Sequence, residues 1–334
     1  MSASVENPKY TVYIITSSKR YNVTNALISL DISEPEGQMA VSVSLNLYDA
    51  DVNGSKLSDL IFLRNRVVVL ADDGKKSATV FTGYVWDISP KETLVDAEFT
   101  VKCYDNLIYW QESEDSDFFP EGKSTKDIVK SIATKWGIGL TYEYESITHE
   151  KLVLRGFIAD FMTGDLLDTV KNRTRKKYII RSHADRVIIR PVGSNETIYK
   201  IKAENNAIEC RSYVSLNGMI TKVVILGTES DDSLTPVEGS YSNGTHNFGT
   251  LQKIISTGES MTLEEAKKEA LNIINENSYP KWEYDISAAD IPWIRKGDKV
   301  HVEIGKLKGY FIVKGIGREI SNRTKTMTLT VVKA

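Results

Sequence analysis

Side chains able to do chemistry are sparse in this sequence. Its histidines are His149, His183, His246 and His301, and its cysteines are Cys103 and Cys210. No two histidines stand at helical metal spacing and none has a cysteine nearby. HExxH, CxxC and a carboxylate-rich calcium loop do not occur. His301 alternates with Val300 and Val302, which places it outward on a strand. Cys103 and Cys210 fall in strand-like stretches and read as buried free thiols. A catalytic cysteine would need a histidine partner that the spacing does not supply, although a fold can bring distant residues together.

Other catalytic signatures are missing as well. Neither GxSxG nor GxxxxGK[ST] is present. Gly315-Ile316-Gly317 sits in a strand pattern without the third glycine of a dinucleotide site, and it reads as a bulge or a close packing. Asp72-Asp73 and Asp231-Asp232 read as solvated loop acids; two acids at glycosidase separation, drawn from distant positions, remain open. The basic cluster Lys171, Arg173, Arg175, Lys176 and Lys177 follows a helix, where it meets the helix C-terminus favourably or an acidic partner. Trp86, Trp110, Trp136, Trp282 and Trp293 are scattered, which favours core packing over a sugar-stacking platform. No catalytic, cofactor-binding or metal residue is assigned, no cofactor is expected, and an enzyme is not the expected class.

Composition narrows the classes further. The 334 residues are 41% hydrophobic and 26% charged, as in an ordinary globular protein of two or three domains. Forty-two Lys+Arg against 45 Asp+Glu give a net charge of −3, so no nucleic-acid binding is expected. No apolar run approaches the roughly 18 residues that span a bilayer. Met1–Tyr13 has no signal-peptide pattern, which suggests folding in a reducing cytoplasm. Sixteen tyrosines against 8 prolines, with much Val, Ile and Thr, lean toward strands.

The elements follow from periodicity. Met39–Leu47 alternates with Val41, Val43, Leu45 and Leu47 on one face. Tyr10–Ile15, Arg66–Leu70, Thr79–Trp86 and Glu98–Cys103 read as further strands, with turn chemistry at Asn53-Gly54 and Asp73-Gly74. An acidic cluster from Glu112 to Asp117, then Pro120 and Gly122, reads as a loop and a domain boundary. Helices are expected over Ser124–Trp136, after Thr163, and over Thr262–Asn277, where Thr262 and Glu265 form a capping box. A hairpin joins Tyr178–Ile180 to Arg186–Ile189. Strands are expected at Ala207–Val214, Met219–Leu226, Lys299–Ile304, Tyr310–Arg318 and Thr326–Val332. Gly227–Thr250 reads as a long functional loop, mobile in the isolated chain and ordered in an assembly.

The two strand-rich ends look alike. Aligning Gly83 with Gly315 brings Phe81 onto Val313, Asp87 onto Glu319 and Ile88-Ser89 onto Ile320-Ser321. Val68 and Leu70 then meet Val300 and Val302, while Phe99, Val101 and Cys103 meet Met327, Leu329 and Val331. The expectation is a mainly β fold with α+β insertions and two related β-barrels per chain. The first barrel is residues 1–112, an α+β insertion is 113–200, the second barrel is 201–226 and 282–334, and a long loop plus helix is 227–281.

The C-terminal third carries the most specific motif order. Glu264-Glu265-Ala266 lies in a helix. Ile291-Pro292-Trp293-Ile294-Arg295-Lys296-Gly297-Asp298-Lys299-Val300 follows, then Gly309-Tyr310-Phe311-Ile312-Val313 and Thr326-Met327-Thr328-Leu329. With Asp127-Ile128-Val129, Lys135-Trp136-Gly137 and Tyr104-Asp105, this order resembles the XkdQ/YqbQ family of contractile phage tails, similar to the T-even hub and to gpD-type late-control proteins. The resemblance implies a structural baseplate hub. Three chains would form a ring, with barrel-edge strands pairing across chains, that adapts a six-fold tail tube to a three-fold spike. The partners implied are two further copies, tail tube subunits, a central spike protein and other baseplate or LysM-type tail proteins. Such a subunit would assemble in the producing bacterial cytoplasm and leave within a virion tail or a bacteriocin (tailocin) particle. A cell-wall glycan hydrolase or a carbohydrate-binding tail protein is the alternative.

Overall fold

Alternating apolar strands dominate the computed structural model, which describes residues 7–17, 19–52, 54–92, 97–227, 235–257 and 261–334. In chain order the strands used below are β1 Lys9–Ile15, β2 Leu27–Glu34, β3 Ser42–Tyr48, β4 Arg66–Asp72, β5 Ser77–Glu92 and β6 Ala97–Tyr104. Then come β7 Glu114–Phe119, helix α1 Thr125–Lys135, β8 Gly139–Tyr142, β9 Leu152–Phe157 and helix α2 over 158–174. β10 Tyr178–His183, β11 Arg186–Pro191, β12 Lys200–Lys202 and β13 Ala207–Ser215 follow. The chain continues through β14 Lys222–Leu226, β15 Val237–Ser242, β16 Gln252–Ser256 and helix α3 Leu263–Asn277. It closes with β17 Lys281–Ala289, β18 Lys299–Ile304, β19 Leu307–Ser321 and β20 Lys325–Lys333.

The chain divides into two units, Met1–Arg211 with Tyr284–Ala334, and Ser212–Glu283. The larger unit is built on one hydrogen-bonded strand path, β13-β17-β20-β19-β2-β3-β6-β5-β4-β1, with β18 on β19 and β12 on β18. Two apolar cores lie along it. One gathers Leu30, Val43, Leu45, Val67, Val69, Val85, Val101 and Cys103; the other gathers Ile286, Val300, Val302, Phe311, Val313, Leu329 and Val331. Among the described residues no strand pairing closes either group on itself.

The repeat is present in the ladder, with a corrected register. Val85 pairs with Cys103 and Ile88 with Val101, around a bulge between Val85 and Asp87. In the second half Val313 pairs with Val331 and Ile316 with Leu329, around a bulge between Val313 and Gly315. On the next strand Val67 faces Gly83 and Val69 faces Phe81, matched by Val300 facing Phe311 and Val302 facing Gly309. On the other side Val43, Leu45 and Leu47 face Cys103, Val101 and Phe99, as Tyr284, Ile286 and Ala288 face Val331, Leu329 and Met327. The true spacing on the middle strand is therefore the 228 residues from Val85 to Val313, not the 232 from Gly83 to Gly315. Upstream, Val67 and Val69, not Val68 and Leu70, are the buried equivalents of Val300 and Val302. The two glycines mislead because they do different work. A Cβ on Gly83 would lie 2.2 Å from the Tyr104 carbonyl oxygen, whereas Gly315 lies at the bulge, where its Cβ would lie 3.3 Å from the Glu36 amide.

The turn before each middle hairpin repeats atom for atom. Arg64, at φ 65°, donates its N–H to Val85 O at 2.8 Å, and Val85 donates to Asn65 O at 2.9 Å. Gly297, at φ 86°, donates to Val313 O at 2.8 Å, and Val313 donates to Asp298 O at 2.9 Å. The Asn65 side chain accepts from Phe62 N–H at 2.8 Å, and Asp298 accepts from Arg295 N–H at 2.9 Å. We call this turn the knuckle.

The α+β material of the larger unit packs around Trp110, Ile128, Ile132, Leu154, Phe161, Leu166 and Val187. Ser124 caps α1 by accepting from Asp127 N–H, as its spacing predicts. The acidic stretch expected as a loop is instead strand β7, antiparallel to β9, because Asp117 and Phe119 pair with Leu154 and Leu152. The second helix starts at Ile158, ahead of Thr163, and passes through a wider turn over Phe161–Leu167. β10 and β11 form the expected hairpin, turning at Ala184 and Asp185, both at positive φ.

In the smaller unit β14 pairs antiparallel with β15 and parallel with β16, so Lys222–Leu226, expected with residues 282–334, lies in a separate three-stranded sheet. Helix α3 lays Ala266, Ala270 and Ile274 on Val223, Ile225 and Ile255, and the Thr262–Glu265 capping box forms. Of the expected loop at Gly227–Thr250, residues 235–250 carry β15 and a short helical turn, and 228–234, including Asp231-Asp232, lie outside the described residues. Asn53 of the expected Asn53-Gly54 turn lies outside them too.

Gly83→Ala is expected to lower stability by about 3 kcal/mol, since the added carbon meets fixed backbone. Gly317→Ala, with nothing within 4 Å of its Cβ, should change it by under about 0.5 kcal/mol. Urea titration of both variants checks this.

Candidate functional site

Charged side chains converge where the two strand groups meet. β2 and β19 pair antiparallel from Glu34 opposite Ile316 to Ser29 opposite Ser321, which joins the halves of the ladder. At the end of β2 the buried Glu34 accepts from Arg295 Nε of the second knuckle, and Arg318 of β19 lies 3.9 Å from the same oxygen. Arg318 also donates to Asp290 Oδ1 at 3.1 Å and to the Ile294 carbonyl, while Tyr10 of β1 donates its hydroxyl to Asp290 Oδ2. Lys296 gives its ammonium to the carbonyls of Pro35 and Gln38. Each buried charge thus has a partner on the other half of the ladder or on the loop before β18.

The α+β insertion is tied into the same cluster. Arg181 of β10 reaches Asp298 Oδ1 at 2.9 Å and Arg190 of β11 reaches it at 3.3 Å. Arg295 donates to the Ser182 carbonyl at 3.3 Å. Gly297 is required here: at φ 86° a side chain is strained, and its Cβ would lie 2.7 Å from Ile179. The knuckle motif Arg295-Lys296-Gly297-Asp298 therefore contacts three parts of the unit at once. Trp293, just upstream, packs on the first core, donates to Asp73 Oδ2 at 2.6 Å and receives Lys76 over its ring at 4.3 Å.

Burial sets the titration of this cluster. It pushes the Asp298 carboxyl up to about 6, and raises Asp290 against the opposing pull of Arg318. It lowers Lys296. For Arg295 burial works against the charge, but Glu34 beside it more than compensates and holds its pKa above the ordinary value. Asp105, just past the end of β6, is only half partnered, as Glu34 is, whose Oε2 is buried without a hydrogen-bond partner. Asp105 Oδ1 accepts from Leu107 N–H at 3.0 Å, but Oδ2 is buried with no hydrogen-bond partner. Burial pushes this carboxyl from 3.8 up to about 7. The crevice beside it, lined by Phe81, Ser182, His183 and Arg295, has room for about one water molecule.

The residues singled out from the sequence are placed apart. His149 is buried against Thr125 Oγ1 at 2.8 Å, and burial, then Arg173, lower its pKa. His301 faces away from the core, as expected, but is half covered by Tyr310 and lies 3.3 Å from Glu303. Burial raises the Cys103 thiol in the first core; Cys210 is half-buried on β13 and raised as well. Trp110 is wholly buried, Trp86 and Trp136 pack on the insertion core, and Trp282 is exposed. In the basic cluster Lys171 pairs with Asp168, Lys176 with Glu145, and Arg173 reaches the Thr148 carbonyl. Among the described residues no group of three or more His, Cys, Asp or Glu is placed to hold a metal ion, and no helix is long and apolar enough to cross a membrane. Glu34, Asp290 and Arg318 were not singled out from the sequence. Their signal is a charge at a position where strand alternation requires a buried side chain.

Glu34→Ala leaves the buried Arg295 guanidinium without its bonded carboxylate, while Arg318 keeps Asp290, and should cost about 3–5 kcal/mol. Asp105 acts in the opposite sense. Its folded pKa exceeds its unfolded one, so the native state binds the extra proton between pH 3.8 and about 7. The stability it contributes is full below about pH 4 and is lost as pH rises through about 7. Asp105→Asn should therefore match wild type in stability near pH 4 and gain on it up to pH 7, by at most about 1.4 kcal/mol per pH unit. Melting curves of both proteins across pH 4–8 check this.

Solved structures share this architecture. A tail protein from Neisseria meningitidis MC58 superposes with a TM-score of 0.69 at 14% identity, over 97% of this chain and 96% of that one. The 43 kDa tail protein of prophage MuSo2 from Shewanella oneidensis gives 0.70 at 15% identity, over 97% and 98%. The E. coli c3393 protein, a type VI secretion component with structural similarity to the T4 tail proteins gp27 and gp5, gives 0.59 at 9% identity, over 98% and 77%. At these identities the likeness is one of fold. No curated protein sequence matches the chain. The YQBQ-like family model matches residues 37–332, so this chain, with its repeated strand group and its charged knuckle, belongs to the YQBQ-like family.

Proposed function

We propose that this protein is the structural hub of a contractile tail or tail-like bacteriocin baseplate, a trimeric ring that adapts a six-fold tail tube to a three-fold spike. The observation that carries the reading is the tandem repeat, down to matching bulges and knuckles in one chain. A trimer of such chains offers six similar strand groups to a six-fold neighbour while keeping three-fold symmetry toward another. The two strand groups are the barrels of that ring, completed by contacts between chains. Tail proteins with this fold, and a type VI component likened to phage tail proteins, agree with a tail role. Its mechanism is load transfer and symmetry matching, with no bond made or broken.

The buried junction suits that task. Removing either partner of a buried ion pair is costly, so the halves of each chain resist sliding past one another under load. Light scattering of the purified chain mixed with tube and spike subunits of its own particle should give a trimer bound to both. A chain that stays monomeric and binds neither would overturn the reading. Incubation with purified cell wall should release no sugar or peptide above background; release that is lost on changing one carboxylate would favour a hydrolase instead.

A further inference from the structure

The first strand group leaves a gap between β1 and β2. β1 pairs with β4 along its whole length, but on its other side only Tyr13–Ile15 pair, with Arg20–Asn22. Val12, next in line, turns both backbone groups to that side. Its N–H donates to Thr24 Oγ1 at 2.9 Å, and its carbonyl accepts from Val23 N–H at 3.0 Å. Backbone groups alternate along an antiparallel strand, so the N–H and carbonyl of Tyr10 point the same way, past the last bond of that edge. Across the gap β2 pairs with β19 only from Ser29 onward, because β19 ends at Ser321.

A cavity of about 280 Å³ lies between these edges, within the larger unit. That is close to the lower end of the volumes that hold small ligands. Its apolar wall is Leu27 and Ile28 of β2 with Ile320 of β19. Its polar wall brings two ammonium groups, from the exposed Lys9 on β1 and the half-buried Lys325 on β20. Neither has an ion-pair partner among the described residues, and no Asp or Glu of those residues lines the cavity. Asp290 acts on Lys325 from a distance, but Arg318 and the Tyr10 hydroxyl already hold that carboxylate. Thr24 Oγ1 accepts from Val12 and keeps its own proton to give. Unpaired positive charge, spare donors and an apolar wall thus meet in one volume, a composition that selects an anionic head on an apolar body.

We propose that this cavity binds a small organic carboxylate with an apolar chain. The ammonium groups of Lys9 and Lys325 take the carboxylate, with the Tyr10 N–H and the Thr24 hydroxyl as further donors. The chain lies on Leu27, Ile28 and Ile320. With no arginine fork and no helix N-terminus in its wall, the cavity suits a carboxylate better than a phosphate. The site lies inside one chain, so it neither uses nor depends on the hub reading.

The test titrates octanoate into the full-length chain and follows methyl resonances. Those of Leu27, Ile28 and Ile320 should shift and saturate, while Ile286 and Leu329 of the second core stay in place. Octan-1-ol and inorganic phosphate should each bind at least about tenfold more weakly, since one lacks the charge and the other the apolar body. Lys9→Met with Lys325→Met should weaken octanoate by at least about tenfold at an unchanged melting temperature. Lys9→Met alone, at an exposed position, keeps the comparison sound if the pair lowers that temperature. The proposal is overturned if octanoate gives no saturable shift, or if shifts spread over both cores. It is also overturned if octan-1-ol or phosphate binds as tightly as octanoate, or if the lysine variants keep wild-type affinity.

Discussion

Glu34 is the residue on which the larger unit turns. It is buried at the end of β2, at the point where one half of the ladder becomes the other, and it faces Arg295 and Arg318 from the far half. Burying charge is expensive, and a buried pair seldom adds much net stability over apolar side chains of the same size. Its effect is on geometry. With Asp290 taken by Arg318 and Tyr10, and Asp298 by Arg181 and Arg190, any relative shift of the strand groups strands a charge in a low-dielectric interior. The apolar cores make each half stable; the ions set how the halves and the insertion sit within this unit.

The same knuckle thus carries two chemistries in one chain. Backbone bonds, bulge and side-chain cap agree between Phe62–Val67 and Arg295–Val300. What differs is the pair of residues at the tip, charged where the partner is in the same chain and apolar where it is open. A duplicated unit whose copies differ in charge at the tip keeps the backbone of the turn while changing what the tip can contact.

Much of the fold was legible in the sequence. Alternation located β1, β3, β4, β6, β18 and β20, because one face of each is buried. Capping residues located α1 and α3, because an N-cap side chain satisfies a backbone N–H that nothing else reaches. β2 was missed although Leu30 and Ile32 alternate, since serines and acids fill the intervening positions. β7 reads as a loop in the sequence because its exposed face is acidic, while cross-strand pairing with β9 decides its conformation. The repeat was visible, but glycine is a poor anchor for register, as it answers to local crowding and not to the ladder. The charge junction was scarcely legible. Arg295 and Asp298 stood out only as parts of a motif, and the partners Glu34 and Arg318 come from strands whose pairing the sequence does not announce.

The central claim is that the two strand groups form one cooperative body across the β2–β19 seam. Native-state hydrogen exchange in increasing denaturant tests it most directly. The amides of Leu30 and Ile32 on β2, of Arg318 and Ile320 on β19, and of core strands β6 and β20 should exchange with one free energy and one denaturant dependence. If the β2–β19 seam opens at low denaturant while β6 and β20 stay protected, or if one strand group unfolds well before the other, the account is contradicted.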